Sequence, residues 1–146
     1  MGYDMAAICE ALAANLSGID GLQESGYLLA NPTPPAAEVE PGPIKYDRAA
    51  GRGLDDMRFL VRVFVGLTTD IGAQKRLYRM LASTGDDSIK TALESNRTLG
   101  GLIDDLWVSN CSGLKLFVRE VTAGRGSAQG PLLGAEWTVQ ILATGA

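Results

Sequence analysis

Three adjacent aspartate pairs, Asp55-Asp56, Asp86-Asp87 and Asp104-Asp105, are the groups in this sequence that most invite chemistry, as ligands for magnesium or as partners in acid–base work. Geometry discourages both uses. Adjacent residues on a strand point to opposite faces, so the first and third pairs do not converge on one ion without a turn. Asp86-Asp87 is better placed to open a helix, where a carboxylate meets free backbone donors and the positive end of the dipole. The chain has no histidine, which removes the Ser-His-Asp and Cys-His arrangements and the commonest zinc ligand together. Cys9 falls in an apolar helical pattern and Cys111 in a polar turn, with no second pair to complete a metal site. Packing in a reducing compartment suits both. The sequence thus predicts no catalytic residue, no metal and no cofactor.

Two glycine-rich segments, Gly51-Arg52-Gly53 and Gly124-Arg125-Gly126, have the outline of phosphate loops. Neither has the Lys-Ser or Lys-Thr ending, nor the strand before and helix after, that a phosphate cradle requires. Each offers instead a pliable backbone carrying an arginine, suited to ordering against a partner and making bidentate bonds to a carboxylate. A solvated loop tip is the equal alternative. The second segment belongs to residues 122–134 (TAGRGSAQGPLLG), which lack periodicity over about thirteen residues, a length at which loops are usually functional or disordered.

These loops hang on a scaffold centred on residues 56–69 (DDMRFLVRVFVGLT). Met57, Phe59, Val61, Val63 and Val65 share one parity and Arg58, Leu60, Arg62 and Phe64 the other, which is the period of a strand rich in β-branched and aromatic residues. At about 3.3 Å per residue it extends roughly 40 Å. Its second face is mixed. Burying an unpaired guanidinium there costs several kcal/mol, so Arg58 and Arg62 must reach water, a carboxylate or a neighbouring chain.

Around that strand, Asp4 caps a first helix whose Met5, Ile8, Cys9, Leu12 and Leu16 recur at spacings of three and four until Ser17-Gly18. A short strand is predicted at 27–29, and Asn31-Pro32-Thr33-Pro34-Pro35 forces extended or turn backbone at a sheet edge. Two short strands, 36–40 and 44–47, flank Pro41-Gly42-Pro43, where a bend or bulge is expected. Residues 48–55 form an extended hairpin loop. Asp70 opens a helix with Ile71, Gln74, Leu77, Tyr78 and Leu81 in one stripe, and Asp86 or Asp87 opens a shorter one with Ile89, Ala92 and Leu93 inward. Thr98–Gly101 turns into a strand at 102–108, which forms a hairpin with 114–121. The last strand, 135–142, alternates Ala135, Trp137, Val139 and Ile141 with Glu136, Thr138 and Gln140. With hairpins in place of strand-helix crossovers, the order implies an α+β fold: a largely antiparallel twisted sheet with helices packed on one face.

The 146 residues suit a single domain, 1–146, with long loops at 48–55 and 122–134. A net charge of -4 and a pI near 4.8 argue against a dedicated nucleic-acid binder, which needs concentrated Lys and Arg. No stretch approaches the roughly 20 apolar residues that span a bilayer, and the N-terminus lacks a secretion signal's basic and apolar regions. A soluble protein made inside a cell, without a membrane partner, is expected. Basic residues gather at Arg48, Arg52, Arg58 and Arg62, and acidic ones at Asp86, Asp87, Glu94, Asp104 and Asp105. Opposite charges on two separate surfaces favour head-to-tail rings, although many monomers share the asymmetry.

The running pattern resembles the tail terminator proteins of long-tailed phages, especially those of actinobacterial hosts. The resemblance lies in Asn31-Pro32 with Pro34-Pro35-Ala36-Ala37, in Ile44-Lys45-Tyr46-Asp47 followed by Arg52-Gly53-Leu54-Asp55, and in the Phe59 to Val65 strand. It continues through Ser88-Ile89-Lys90 with Ala92-Leu93-Glu94, the Thr98 to Gly101 turn with Asp104-Asp105, and Leu133-Gly134-Ala135-Glu136-Trp137-Thr138-Val139. Order and spacing carry the match. The resemblance implies a structural subunit of a hexameric ring in the virion neck, assembled in the host cytoplasm on the head-proximal end of the tail tube. Its implied partners are identical copies, the tube protein and the head-tail connector or head-completion protein. Weak, non-specific DNA contact through Arg48, Arg52 and Arg125 is a further possibility, if they line a channel through which DNA passes. Other neck or tail components are the nearest rival, and a small-molecule binding domain using the acidic pairs a more distant one. On the ring reading, Arg48, Arg52, Asp55, Arg58, Arg62, Arg125 and Gln129 are the expected interface residues.

Overall fold

The long alternating run forms a 14-residue strand, Leu54–Leu67, at the centre of a six-stranded sheet. The computed structural model describes residues 2–30, 32–47, 53–67, 70–117 and 131–144. In chain order the elements are α1 (Met5–Asn15), β1 (Gln23–Ser25), β2 (Ala36–Lys45), β3 (Leu54–Leu67), α2 (Ile71–Leu81), α3 (Ile89–Leu93), a 3-10 turn (Leu99–Gly101), β4 (Asp105–Cys111), β5 (Lys115–Phe117) and β6 (Leu132–Thr144). The sheet runs β1-β2-β3-β6-β4, with β5 also paired to β6. Among the described residues only β1 and β2 are parallel. This is the expected α+β architecture with a mostly antiparallel sheet.

Parity decides where the core lies. Met57, Phe59, Val61, Val63 and Val65 of β3 and Leu133, Ala135, Trp137, Val139, Ile141 and Ala143 of β6 all enter one buried cluster. Ile8, Leu12 and Leu16 from the α1 region, Ala73, Leu77 and Met80 of α2, and Ile89 and Leu93 of α3 close over that same face. The helices therefore cover one side of the sheet. The opposite parity of β3 and β6 forms the second side.

Several boundaries differ from the expected ones, each for a local reason. The first short strand is Gln23–Ser25, not 27–29. At Gly26 the chain presses on α1 so closely that a Cβ would stand 3.0 Å from the Cys9 and Glu10 backbone, and the Leu29 N–H bonds the Glu38 carboxylate in place of a strand partner. The two strands expected at 36–40 and 44–47 are one strand, β2, with a register shift between Pro41 and Ile44. Pro41 shares the parity of Pro35, whose carbonyl accepts from Gln23 on the β1 side. Its missing N–H thus faces the outer edge, beyond the end of β1, where no ladder bond is lost.

The apolar stripe of α2 is Ala73, Leu77 and Met80, while Ile71 and Tyr78 are exposed. Ser88, not Asp86 or Asp87, caps α3, accepting from the Thr91 N–H. Leu54 and Asp55 belong to β3 and Leu132 to Gly134 to β6, which shortens both expected loops. Among the described residues the hairpin of 102–108 with 114–121 does not form, and 118–121 lie outside them. β4 and β5 lie end to end along the same side of β6, with the Ser112 N–H bonded to the Glu136 carbonyl between them.

Candidate interaction surface

The second side of the sheet carries the charges that the central strand was expected to satisfy. At its middle, Arg62 lies between strands whose register sets Glu38 on one flank and Glu136 on the other. Its Nη1 donates to Glu38 at 3.0 Å and to Glu40 at 2.7 Å, and its Nε donates to Glu136 at 2.7 Å. Glu38 is fully buried and also accepts from Leu29. Burial works against the Arg62 charge, yet the bonds to Glu40, Glu38 and Glu136 outweigh it and hold its pKa above the ordinary arginine value. Arg62 is thus bonded to carboxylates of its own chain.

Arg58, four residues earlier on the same side, is exposed and has no carboxylate partner among the described residues. It forms one wall of an open groove of about 460 Å³ with Trp107, Ser109, Asn110, Thr138 and Gln140, supplied by β3, β4 and β6. The register aligns Arg58 with Gln140 and Gln140 with Trp107, so three neighbouring strands present one row. Gln140 donates to Asp56 at 3.3 Å. The Trp107 indole N–H and the Asn110 amide have no partner among the described residues, and Trp107 is half-buried.

Asp55, the remaining expected interface residue among those described, faces the helix side and is 6% exposed. It accepts the Tyr3 hydroxyl at 2.6 Å and the Asp47 N–H at 3.0 Å, while Asp47 accepts the Gly53 N–H at 3.1 Å. These bonds fasten the chain start and close the base of the β2–β3 connection. Arg48, Arg52, Arg125 and Gln129 lie outside the described residues.

Burial, then the hydrogen bond to Asp55 and its negative charge, push the Tyr3 phenol up to about 12. Between pH 10 and about 12 the folded chain keeps a proton that the unfolded chain releases, so stability falls as pH rises through that window. Below it the contribution is fully present. Tyr3→Phe is expected to flatten this slope in urea midpoints taken below and above pH 10; an unchanged slope would show that Tyr3 does not cause it.

Each acidic pair has at least one carboxylate engaged structurally. Asp105 pairs with Arg97 through two bonds, at 3.0 and 3.1 Å, and Asp87 with Arg79 at 3.2 Å. Asp104 accepts the Thr144 hydroxyl at 2.7 Å. Glu94 accepts from Lys90 and from the Val108 N–H, which hold it below the usual carboxylate range although burial pushes the other way. Among the described residues no group of three or more His, Cys, Asp or Glu side chains is gathered as a metal site. Cys9 is buried in the core and Cys111 is half-buried, and burial pushes both thiols up, away from thiolate chemistry. No helix among the described residues is long and apolar enough to cross a membrane.

No family model matches the chain, and no curated protein does. The surface must therefore be read from its own chemistry. Glu136, Thr138 and Gln140 were visible in the sequence as the outward parity of β6. Trp107 and Asn110 were not, because only the pairing of β4 with β6 brings them beside Arg58.

Proposed function

We propose that this chain is a structural subunit of a phage tail, assembling as a ring that ends the tail tube and joins it to the head-tail connector. The observation that carries the reading is the geometry of the sheet. Leu54 of β3 pairs with Thr144, and Leu67 pairs with Leu132, so the connection through 48–52 and the connection through 118–130 join strands at opposite ends. A subunit held between a tube and a connector needs two such ends, and it needs a lateral surface for its neighbours. The side of the sheet that carries no helix among the described residues, with Arg58 and Trp107, suits that lateral role. The order of motifs from Asn31 to Val139 supports the same assignment.

Light scattering on the purified protein, alone and with isolated tail tubes, is expected to show a closed oligomer or saturable binding to tube ends. Tails from a phage lacking the protein are expected to have tubes of uncontrolled length in negative-stain images. A monomer that binds no tube, or tails of normal length in its absence, would defeat the proposal.

A further inference from the structure

The groove on the second side of the sheet is lined by one cation, Arg58, and by no carboxylate. A guanidinium offers five N–H groups, and to these the Trp107 indole and the Asn110 amide add theirs. Nothing among the described residues bonds them. Arg62, on the same side, shows how this protein treats an arginine that it satisfies internally, with three carboxylates drawn in from β2 and β6. Arg58 has no such set. A matching occupant brings acceptors and negative charge, and a carboxylate fits the guanidinium fork best.

Charge selects the source. The chain carries a net charge of -4, so another copy presents more acid than base. Asp87, Glu94 and Asp105 are paired with cations internally. Asp20 and Glu24 are exposed beside and on β1, at a border of the sheet, and their carboxylates, like that of Asp86, bond no cation among the described residues; Arg76 bonds the Asp20 carbonyl instead. The strand order puts β1 at one border of the sheet and β4, with Trp107, at the other. Groove and acidic edge are therefore separate surfaces that one copy can offer to two neighbours, the condition for a head-to-tail ring.

Resting on the ring reading above, we infer that the Arg58–Trp107 groove seats a carboxylate from the Asp20–Glu24 edge of the next copy. Arginine and tryptophan are the residue types that most often dominate an interface. The sequence asymmetry between early arginines and late aspartates is replaced by one between two borders of the sheet.

Sedimentation velocity over a concentration series, with and without isolated tail tubes, tests this. Arg58→Glu is expected to weaken self-association by about tenfold or more, most strongly at low salt. Arg58 is exposed, and circular dichroism melts check that the variant folds. Adding Asp20→Arg and Glu24→Arg to Arg58→Glu is expected to restore assembly. If the wild type assembles and Arg58→Glu assembles equally well, the groove inference falls and the ring stands. Loss of assembly without recovery in the charge-swapped chain overturns the acidic-edge assignment, and loss of tube binding alone hands the groove to the tube protein. A wild type that stays monomeric and ignores tubes removes both readings.

Discussion

Replacing Arg62 by methionine is expected to destabilise the fold by about 3–5 kcal/mol, the cost of breaking a buried ion pair from one side. Methionine keeps most of the length and apolar stem, so the change isolates the charge. What remains is Glu38, whose side chain is 0% exposed, with Glu40 and Glu136 drawn toward the same point. Their mutual repulsion in a poorly solvated setting is what the guanidinium now offsets. Glu38→Gln in the Arg62→Met background is expected to recover part of the loss, since the amide removes one charge and still accepts from the Leu29 N–H. Urea unfolding of the three proteins measures both steps. A loss below about 1 kcal/mol for Arg62→Met would place the cluster with exposed surface ion pairs.

That cluster also shows how far local sequence carries. Strand parity correctly demands a partner for Arg62, and the partners are 22, 24 and 74 residues away along the chain. No local pattern identifies them. The demand comes from the desolvation cost, while the answer comes from register. The same division holds elsewhere. β3 and β6 were legible because the alternation through 57–65 and 135–141 is a strong signal, and α1 because Asp4 and the spacing of Ile8, Leu12 and Leu16 agree.

Where signals were weak or local cues pointed elsewhere, the reading slipped. Asn110 to Gly113 has the composition of a hairpin turn, but the Ser112 N–H and hydroxyl both bond Glu136, which keeps the chain on β6. A turn signal says that the chain changes course there, not that its flanking strands pair. In α2 the expected stripe and the buried one share Leu77, and the one that also holds Ala73 and Met80 is buried. Ala73 lies against Gly66, whose added Cβ would approach it to 3.0 Å, so that stripe rests on the end of β3. Tyr78, on the expected stripe, bonds Gln74 at the surface.

The sharpest demand that the fold makes on one residue is at Gly134, where Gly134→Ala is expected to cost at or above the upper end of the overpacking range of about 1–3 kcal/mol. An added Cβ would collide with the Val63 carbonyl oxygen and stand 3.1 Å from its carbon and 3.2 Å from the Phe117 ring. The obstacle is backbone in the neighbouring central strand, so no side-chain rotation relieves it. Relief requires parting β3 from β6 beside the register shift at Phe64 and Gly66, or pushing Phe117 off the Phe64 ring that it meets edge-on at 5.1 Å. That aromatic contact is worth about 0.5–1.5 kcal/mol beyond its buried area. Gly18→Ala is the control, because nothing lies within 4 Å of its added Cβ. It is expected to be neutral or to stabilise by up to about 1 kcal/mol through the unfolded state. Unfolding midpoints of the two variants separate the effects. Equal stability would mean that β3 and β6 do not approach at Gly134 as closely as described, and the central pairing would have to be redrawn.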